Sequence, residues 1–277
     1  MRITVCARAK INWSLDIRAN REDGYHELDM LMQRIDLCDE MTFERARWLS
    51  LTVDGTTLPV GGRNLVVRAA NALNLYMGKR YGARITLNKR IPVRAGLGGG
   101  SADCAATLTA LNRLWNLRLN ESTLMSIGAK LGADVPFCVA GGFARVSGVG
   151  ERVITLKSAQ SFPLVLLHVG EGLSTAKVFS RFDSLRQSVH VDTDALTRAI
   201  LAHDLEAMAA LSKNALEDAA IAMMPQIGSA MERMRKLGAR VVRMSGSGSA
   251  VYGVFRTAAE ALAAHDRLPG SIFTWTC

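Results

Sequence analysis

Between Ile91 and Asp103 the chain reads Ile-Pro-Val-Arg-Ala-Gly-Leu-Gly-Gly-Gly-Ser-Ala-Asp, with glycines at 96, 98, 99 and 100. Glycine reaches positive φ freely and lets backbone N–H groups approach a ligand with no Cβ in the way. A strand-like run, Arg84 to Leu87, precedes this segment, and an apolar helical pattern opens at Ser101 or Ala102. The first turn of a helix carries unpaired N–H groups and the positive end of the helix dipole. A glycine-rich turn feeding such a terminus predicts an anion site, with phosphate the usual anion. Glycine density alone also fits a surface turn between strand and helix. No G-x-x-x-x-G-K-[ST] is present, and G-x-G-x-x-G fails because the third residue beyond Gly100 is Asp103. No G-x-S-x-G elbow occurs either, which disfavours a serine hydrolase. A phosphate site of another kind is required.

Two more segments hold residue types suited to chemistry. In Leu131-Gly-Ala-Asp-Val-Pro-Phe137 an aspartate stands between a glycine at a helix end and a proline. Fixed geometry of that sort suits a general base, and the same residues suit a plain helix-terminating turn. Met244-Ser-Gly-Ser-Gly-Ser249, between two predicted strands, reads as a tight turn or as a small-residue loop closing on substrate or phosphates. Lys10 to Arg18 alternates with Ile11, Trp13, Leu15 and Ile17 on one face and Lys10, Asn12, Ser14 and Asp16 on the other. On this pattern alone Lys10 is a solvated charge on the polar side of a strand.

The elements that must position these residues follow from periodicity. Strands are expected at Leu31–Ile35, Leu49–Val53 and Phe143–Ser147, and helices at Asn64–Met77, Ala102–Leu114 and Glu121–Leu131, with Asn64 as N-cap of the first. The polar cluster Ala19–Gly24 makes a hairpin or longer loop. A glycine- and charge-rich connection, Gly148-Val-Gly-Glu-Arg152, marks a domain boundary, giving units 1–152 and 153–277. Beyond it come a strand at Leu164–His168 and helices at Thr175–Phe182, Asp192–Leu201, Leu205–Leu211 and Pro225–Leu237. Strands at Arg240–Met244 and Ala250–Phe255, a helix at Ala258–Asp266 and a strand at Ile272–Trp275 complete a βαββαβ-type layer.

Composition bounds the function. At 277 residues the chain can bury a sizeable core in one or two domains. Hydrophobic residues make up 49%, and no apolar run is long enough to span a bilayer. The N-terminus lacks the layout of a signal peptide. Five widely spread cysteines form no C-x-x-C pair, which fits a reducing cytoplasm better than a disulfide framework or zinc site. The net charge of +9 invites a nucleic-acid-binding reading, but the basic residues are scattered and no stacking aromatics interleave them. A positive field equally attracts small phosphorylated substrates.

Ala9-Lys-Ile-Asn12, Arg21-Glu-Asp-Gly-Tyr-His26, Asn64-Leu-Val-Val-Arg-Ala-Ala70, the Gly96–Asp103 loop, Leu131–Pro136, Asn214-Ala-Leu-Glu217 and the late Gly-Ser-Gly loop follow one another in a set order. That set resembles the GHMP small-molecule kinases and runs from the N-terminus to the loop near Ser249. The resemblance implies an α+β fold of two domains: an N-terminal ribosomal-protein-S5-domain-2-like domain, a C-terminal ferredoxin-like domain, and the active site in the cleft between them. It implies ATP as donor and Mg²⁺ as cofactor. By the same resemblance, Asp23-Gly-Tyr-His26 points within the family to a small-molecule cytidylyl diphosphate of methylerythritol, phosphorylated on its 2-hydroxyl for isoprenoid precursors. Another GHMP kinase, for mevalonate, homoserine or a sugar, is the alternative within the family. No nucleic acid and no membrane is an expected partner, and the sequence leaves the oligomeric state open.

The resemblance also assigns roles. Asp134 would accept the proton of the attacking hydroxyl, with Lys10 beside it and Asn12 orienting the substrate hydroxyls. Adenine would lie against Asn64, Leu65 and Lys89, beside Asp103 from the helix start. Pro92, Val93, Arg94, Ala95 and Leu97 would complete the ATP loop. Backbone N–H groups of Gly96, Gly98, Gly99, Gly100, Ser101 and Ala102 would stabilise the transferring phosphoryl group. Ser101 is the candidate magnesium ligand. Tyr25, His26 and Phe179 would hold the pyrimidine, with Thr175 nearby on the same segment, and for Phe179 core packing is the competing reading. Ala102 departs from the family pattern, which often carries a second serine there.

Overall fold

Alternation in the N-terminal part continues well past the windows read from sequence, and the result is two very long strands. In the computed structural model, which describes residues 1–157, 160–185 and 189–277, β1 (Arg2–Asn20) pairs antiparallel with β2 (His26–Ala46) along nearly its whole length. The other edge of β2 is shared: β5 (Phe143–Gly148) pairs with residues 28–33 and β4 (Gly82–Asn88) with residues 40–46. β3 (Ser50–Asp54) joins β4 in parallel, and β6 (Arg152–Thr155) joins β5, completing a six-stranded sheet. Helices α1 (Leu65–Met77), α2 (Gly99–Leu114), α3 (Glu121–Ala129) and α4 (Val135–Ala140) accompany it. Asn64 caps α1, its side chain accepting from Val66 N–H, and Gly78 ends that helix at φ +61°.

The second sheet runs β10 (Ile272–Trp275), β7 (Pro163–His168), β9 (Ala250–Val254), β8 (Val241–Met244), antiparallel throughout. Between β7 and β8 the chain forms α5 (Thr175–Leu185), α6 (Thr193–Leu201), α7 (Leu205–Leu211), α8 (Glu217–Met223) and α9 (Gln226–Lys236), and α10 (Ala258–Asp266) precedes β10. Side chains of Asp192, Asp204 and Thr257 cap α6, α7 and α10. This is the βαββαβ order of a ferredoxin-like layer with extra helices in its first crossover.

Three differences from the sequence reading matter. The polar face of β1 is not solvated: Lys10, Asn12, Ser14 and Asp16 are all buried, because the helices and the second sheet cover both faces of the strand. Alternation reports which residues share a face and says nothing of what later lies over it. Second, Asp134 does not sit in a helix-ending turn. It is the N-cap of α4, and Pro136 stands in that helix's first turn, where a missing N–H costs nothing. Third, α2 begins at Gly99, two or three residues before Ser101 or Ala102, with Gly98 as its cap at φ +69°.

β1 joins the two sheets. Leu15 N–H donates to Lys213 O and Ala215 N–H to Leu15 O, at 3.0 and 2.8 Å. Trp13 is fully buried, donates from Nε1 to Gln33 Oε1 at 2.8 Å, and packs edge-on against Phe162 and Tyr252 of the second sheet. Tyr252 in turn donates its hydroxyl to Asn12 O at 2.9 Å. The apolar stripe Ile11, Trp13, Leu31 and Ile35 therefore shares one core with Phe162, Leu164 and Tyr252. That core fixes the backbone that carries Lys10 and Asn12.

Candidate active site

A cleft of about 1310 Å³ is bordered on β1 by Lys10, Asn12 and Leu15. The hairpin tip at residues 24–26, the loop from Pro92 to Asp103, Asp134, the start of α5 and the Gly246–Gly248 loop all line it. The candidate residues thus converge on one space, Ala102 excepted, which lies on the buried face of α2.

Gly96 and Gly98 each have a local reason. An added Cβ at Gly96, φ +76°, would lie 2.1 Å from Ser245 O, so only glycine lets the late loop close on the first. Ser245 Oγ donates to Gly96 O at 3.0 Å and Ala250 N–H to Ala95 O at 2.9 Å. At Gly98 a Cβ would meet Lys10 Cγ at 2.9 Å, so the missing side chain is the space the lysine stem occupies. Because α2 starts at Gly99, the N–H groups of Gly99, Gly100 and Ser101 are its open first turn. Ala102 N–H is already spent on Gly98 O at 2.8 Å.

Lys10 Nζ lies 2.6 Å from Asn12 Oδ1 and 3.5 Å from Asp134 Oδ2. The lysine is buried, whereas the Asp134 side chain keeps 30% exposure toward the cleft. An ammonium and a carboxylate therefore meet at the cleft wall, and the carboxylate is the one a ligand can reach. The side-chain oxygen of Asn12 is occupied by Lys10, so Asn12 holds the lysine in place. Among the described residues its Nδ2 has only the weak acceptor Met30 Sδ, at 3.4 Å.

Behind the phosphate loop lies a buried triad. Lys89 Nζ bonds both Asp39 and Asp103, the latter at 2.9 Å. Asp39 also accepts from the N–H groups of Arg90 and Ile91. Asp103 has one oxygen with no partner among the described residues. Burial, with Asp39 as a second negative charge, pushes the Asp103 carboxyl up to about 7. The folded chain then holds a proton that the unfolded chain releases near 3.8, so stability falls as pH rises between those values. Asp103→Asn, permanently neutral, should gain in melting temperature on the wild type from about pH 5 to about pH 8. A difference that stays constant over that range would remove the protonated carboxyl from the account.

The remaining candidates divide by environment. Leu65 and Lys89 line the cleft beside Asn64, but the Asn64 amide is already used, capping α1 and donating to Pro59 O at 2.8 Å. Pro92, Val93, Arg94, Ala95 and Leu97 also line it, with Ala95 and Leu97 facing the core. Arg94 takes φ +58°, and Gly172 packs against its carbonyl. Tyr25 is 64% exposed at the hairpin tip. His26 stacks obliquely on Phe179, ring centroids 4.8 Å apart, and Phe179 is half-buried at the cleft. Thr175 Oγ1 and Ser247 Oγ are 2.9 Å apart, joining α5 to the late glycine loop. Among the described residues no cluster of three or more His, Cys, Asp or Glu side chains gathers for a metal.

Asn214 was read only as part of the family pattern, with no role, and Asp183 was not read at all. Asn214 donates to Met244 O and Gly246 O, at 2.9 and 2.8 Å, and so shapes the late loop. Asp183 lines the cleft and bonds His26. The signal for it was spacing: Thr175, Phe179 and Asp183 recur every four residues on α5, one stripe of the helix.

Residues 64–142 match the GHMP kinases N terminal domain and residues 196–271 the GHMP kinases C terminal domain. A 4-diphosphocytidyl-2-C-methyl-D-erythritol kinase of Pelotomaculum thermopropionicum is 44% identical over 256 residues, 92% of this chain and 89% of that protein. One of Acetivibrio thermocellus is 39% identical over 99% of this chain and 97% of its own. The crystal structure of a 4-(cytidine 5'-diphospho)-2C-methyl-D-erythritol kinase superposes with a TM-score of 0.86 at 34% identity, covering 99% of both chains. A homoserine kinase from Cytophaga hutchinsonii shares the fold at a TM-score of 0.76 and 19% identity, over 100% of this chain and 94% of that one. The sheet order, the glycine cradle and these likenesses agree that the chain belongs to the GHMP kinases, in the 4-diphosphocytidyl-2-C-methyl-D-erythritol kinase family.

Proposed function

We propose that this chain transfers the terminal phosphoryl group of ATP to the 2-hydroxyl of 4-diphosphocytidyl-2-C-methyl-D-erythritol, a cytoplasmic step in isoprenoid precursor synthesis. The observation that carries the reading is the Lys10–Asp134 pair at 3.5 Å, in the same cleft as the open first turn of α2. Phosphoryl transfer asks a protein mainly for positioning and charge stabilisation, and this arrangement supplies both. The names of the relatives at 39–44% identity support the substrate. The division into an N-terminal domain, 1–152, and a C-terminal domain, 153–277, belongs to the same proposal.

Adenine lies against Leu65 and Lys89, and the triphosphate crosses the N–H groups of Gly99 to Ser101. Asp134 accepts the hydroxyl proton as the oxygen attacks, a distance set by the N-cap position at the start of α4. Lys10 offsets charge developing on the attacking and transferring oxygens. The Ser101 hydroxyl, facing Gly132 across the loop, fits a Mg²⁺ ion that takes most of its ligands from phosphates and water. When bound, that ion neutralises phosphate charge. His26 and Phe179 receive the pyrimidine, with Tyr25 free at the hairpin tip to close over it.

A panel of ATP-dependent assays with Mg²⁺ tests the reading. The cytidylyl substrate should be phosphorylated, and mevalonate, homoserine and hexoses should not. Turnover of one of those three, with none of the cytidylyl compound, would move the chain elsewhere in the superfamily.

A further inference from the structure

His26 opens β2 and reaches α5, where its Nε2 lies 2.8 Å from Asp183 Oδ1. A carboxylate only accepts, so this contact requires the proton on Nε2. In the neutral imidazole the other nitrogen, Nδ1, is then an acceptor. The ring is held on its other sides by Phe179 and by Phe182, whose centroid is 6.5 Å away, and the side chain is only 11% exposed. His26 and Asp183 both line the cleft. Among the described residues Asp183 makes no ion pair or hydrogen bond with Lys10 or Asp134, and Nδ1 has no partner.

We propose that Asp183 is a positioning residue that sets base specificity, holding His26 as the Nε2–H tautomer so that Nδ1 presents an acceptor to the pyrimidine. The inference rests on the cytidylyl substrate proposed above. Cytosine carries an exocyclic amino donor where uracil carries a carbonyl acceptor. An acceptor on the protein pairs with the first and leaves two unpaired oxygen or nitrogen lone pairs facing each other with the second. Stacking on Phe179 does not separate them, since both bases offer a flat π-face. Asp183 thus supplies chemistry that the aromatic contacts cannot.

The test compares the whole enzyme with Asp183→Asn and Asp183→Leu. Asparagine can accept from Nε2–H or donate to Nε2, so it releases the tautomer, and leucine does neither. In both variants KM for the cytidylyl substrate should rise about tenfold with kcat within about twofold, and preference over the uridylyl analogue should shrink about tenfold. The ¹⁵N spectrum of the His26 ring should show Nε2 protonated in the wild type and mixed tautomers in Asp183→Asn. Equal losses on both substrates, leaving the preference unchanged, would overturn the proposal and make Asp183 merely structural. So would a wild-type ring protonated on Nδ1 alone. A wild type that turns over neither pyrimidine substrate would instead count against the substrate reading, and the ring spectrum would still decide the Asp183 contact.

Discussion

Asp134→Ala is expected to lower kcat by about 10²–10⁴-fold while ATP binding survives, because a positioned general base contributes on that scale. The side chain is the exposed partner of the Lys10 pair, and no other hydrogen bond in the cleft depends on it among the described residues. Its loss therefore removes the proton acceptor without taking down the phosphate cradle, which is made of backbone. Asp134→Asn keeps the shape and should be as slow as the alanine variant. Calorimetric titration with ATP reads the binding side. Equal loss of turnover and nucleotide affinity would make Asp134 a structural residue.

Lys10→Met should cost about 10²–10³-fold in kcat, the scale seen when one preorganised charge or donor is withdrawn from a transition state. Methionine fills the stem volume against Gly98 and keeps β1 packed. It removes the ammonium that Asn12 and Asp134 share. Lys10→Arg should not rescue, because Gly98 leaves room for an unbranched stem and not for a planar guanidinium. Single-turnover kinetics separate the two outcomes: a normal chemical step in Lys10→Met would assign the lysine to substrate binding alone.

The phosphate loop was legible in the sequence because glycine spacing reports backbone demands directly. Gly96 and Gly98 are glycine since Ser245 O and the Lys10 stem stand where a Cβ would be. The sequence also located Asn64 as a cap and the βαββαβ layer, but its faces on β1 hold only as far as Trp13, because an irregularity between Asn12 and Ser14 moves Leu15 into the other core and the cleft wall. It misjudged the polar face of β1, where Gly98 packs on the Lys10 stem and Val191 N–H, 175 residues distant, bonds Asp16. Periodicity within one segment carries no such information.

The short elements were the least readable. α4, α8 and β6 are only four to seven residues long, too short for a periodic pattern to mark them, and no element was read there. At α4 that mattered, since Gly-Ala-Asp-Val-Pro suits a turn and a helix start equally, and packing against α2 and α3 selects the helix. Asp183 was hidden differently. An acidic residue near the end of an amphipathic helix reads as a solvated charge until its histidine partner, 157 positions distant, is seen beside it.

Where the reacting oxygen sits is the point on which the account stands. A crystal structure with a non-hydrolysable ATP analogue and the cytidylyl substrate bound together would locate it. The predicted result is the 2-hydroxyl within about 3 Å of an Asp134 carboxylate oxygen, the γ-phosphorus in line with it and the triphosphate over the first turn of α2. A hydroxyl held away from Asp134 and Lys10, or a triphosphate lying elsewhere in the cleft, would contradict it.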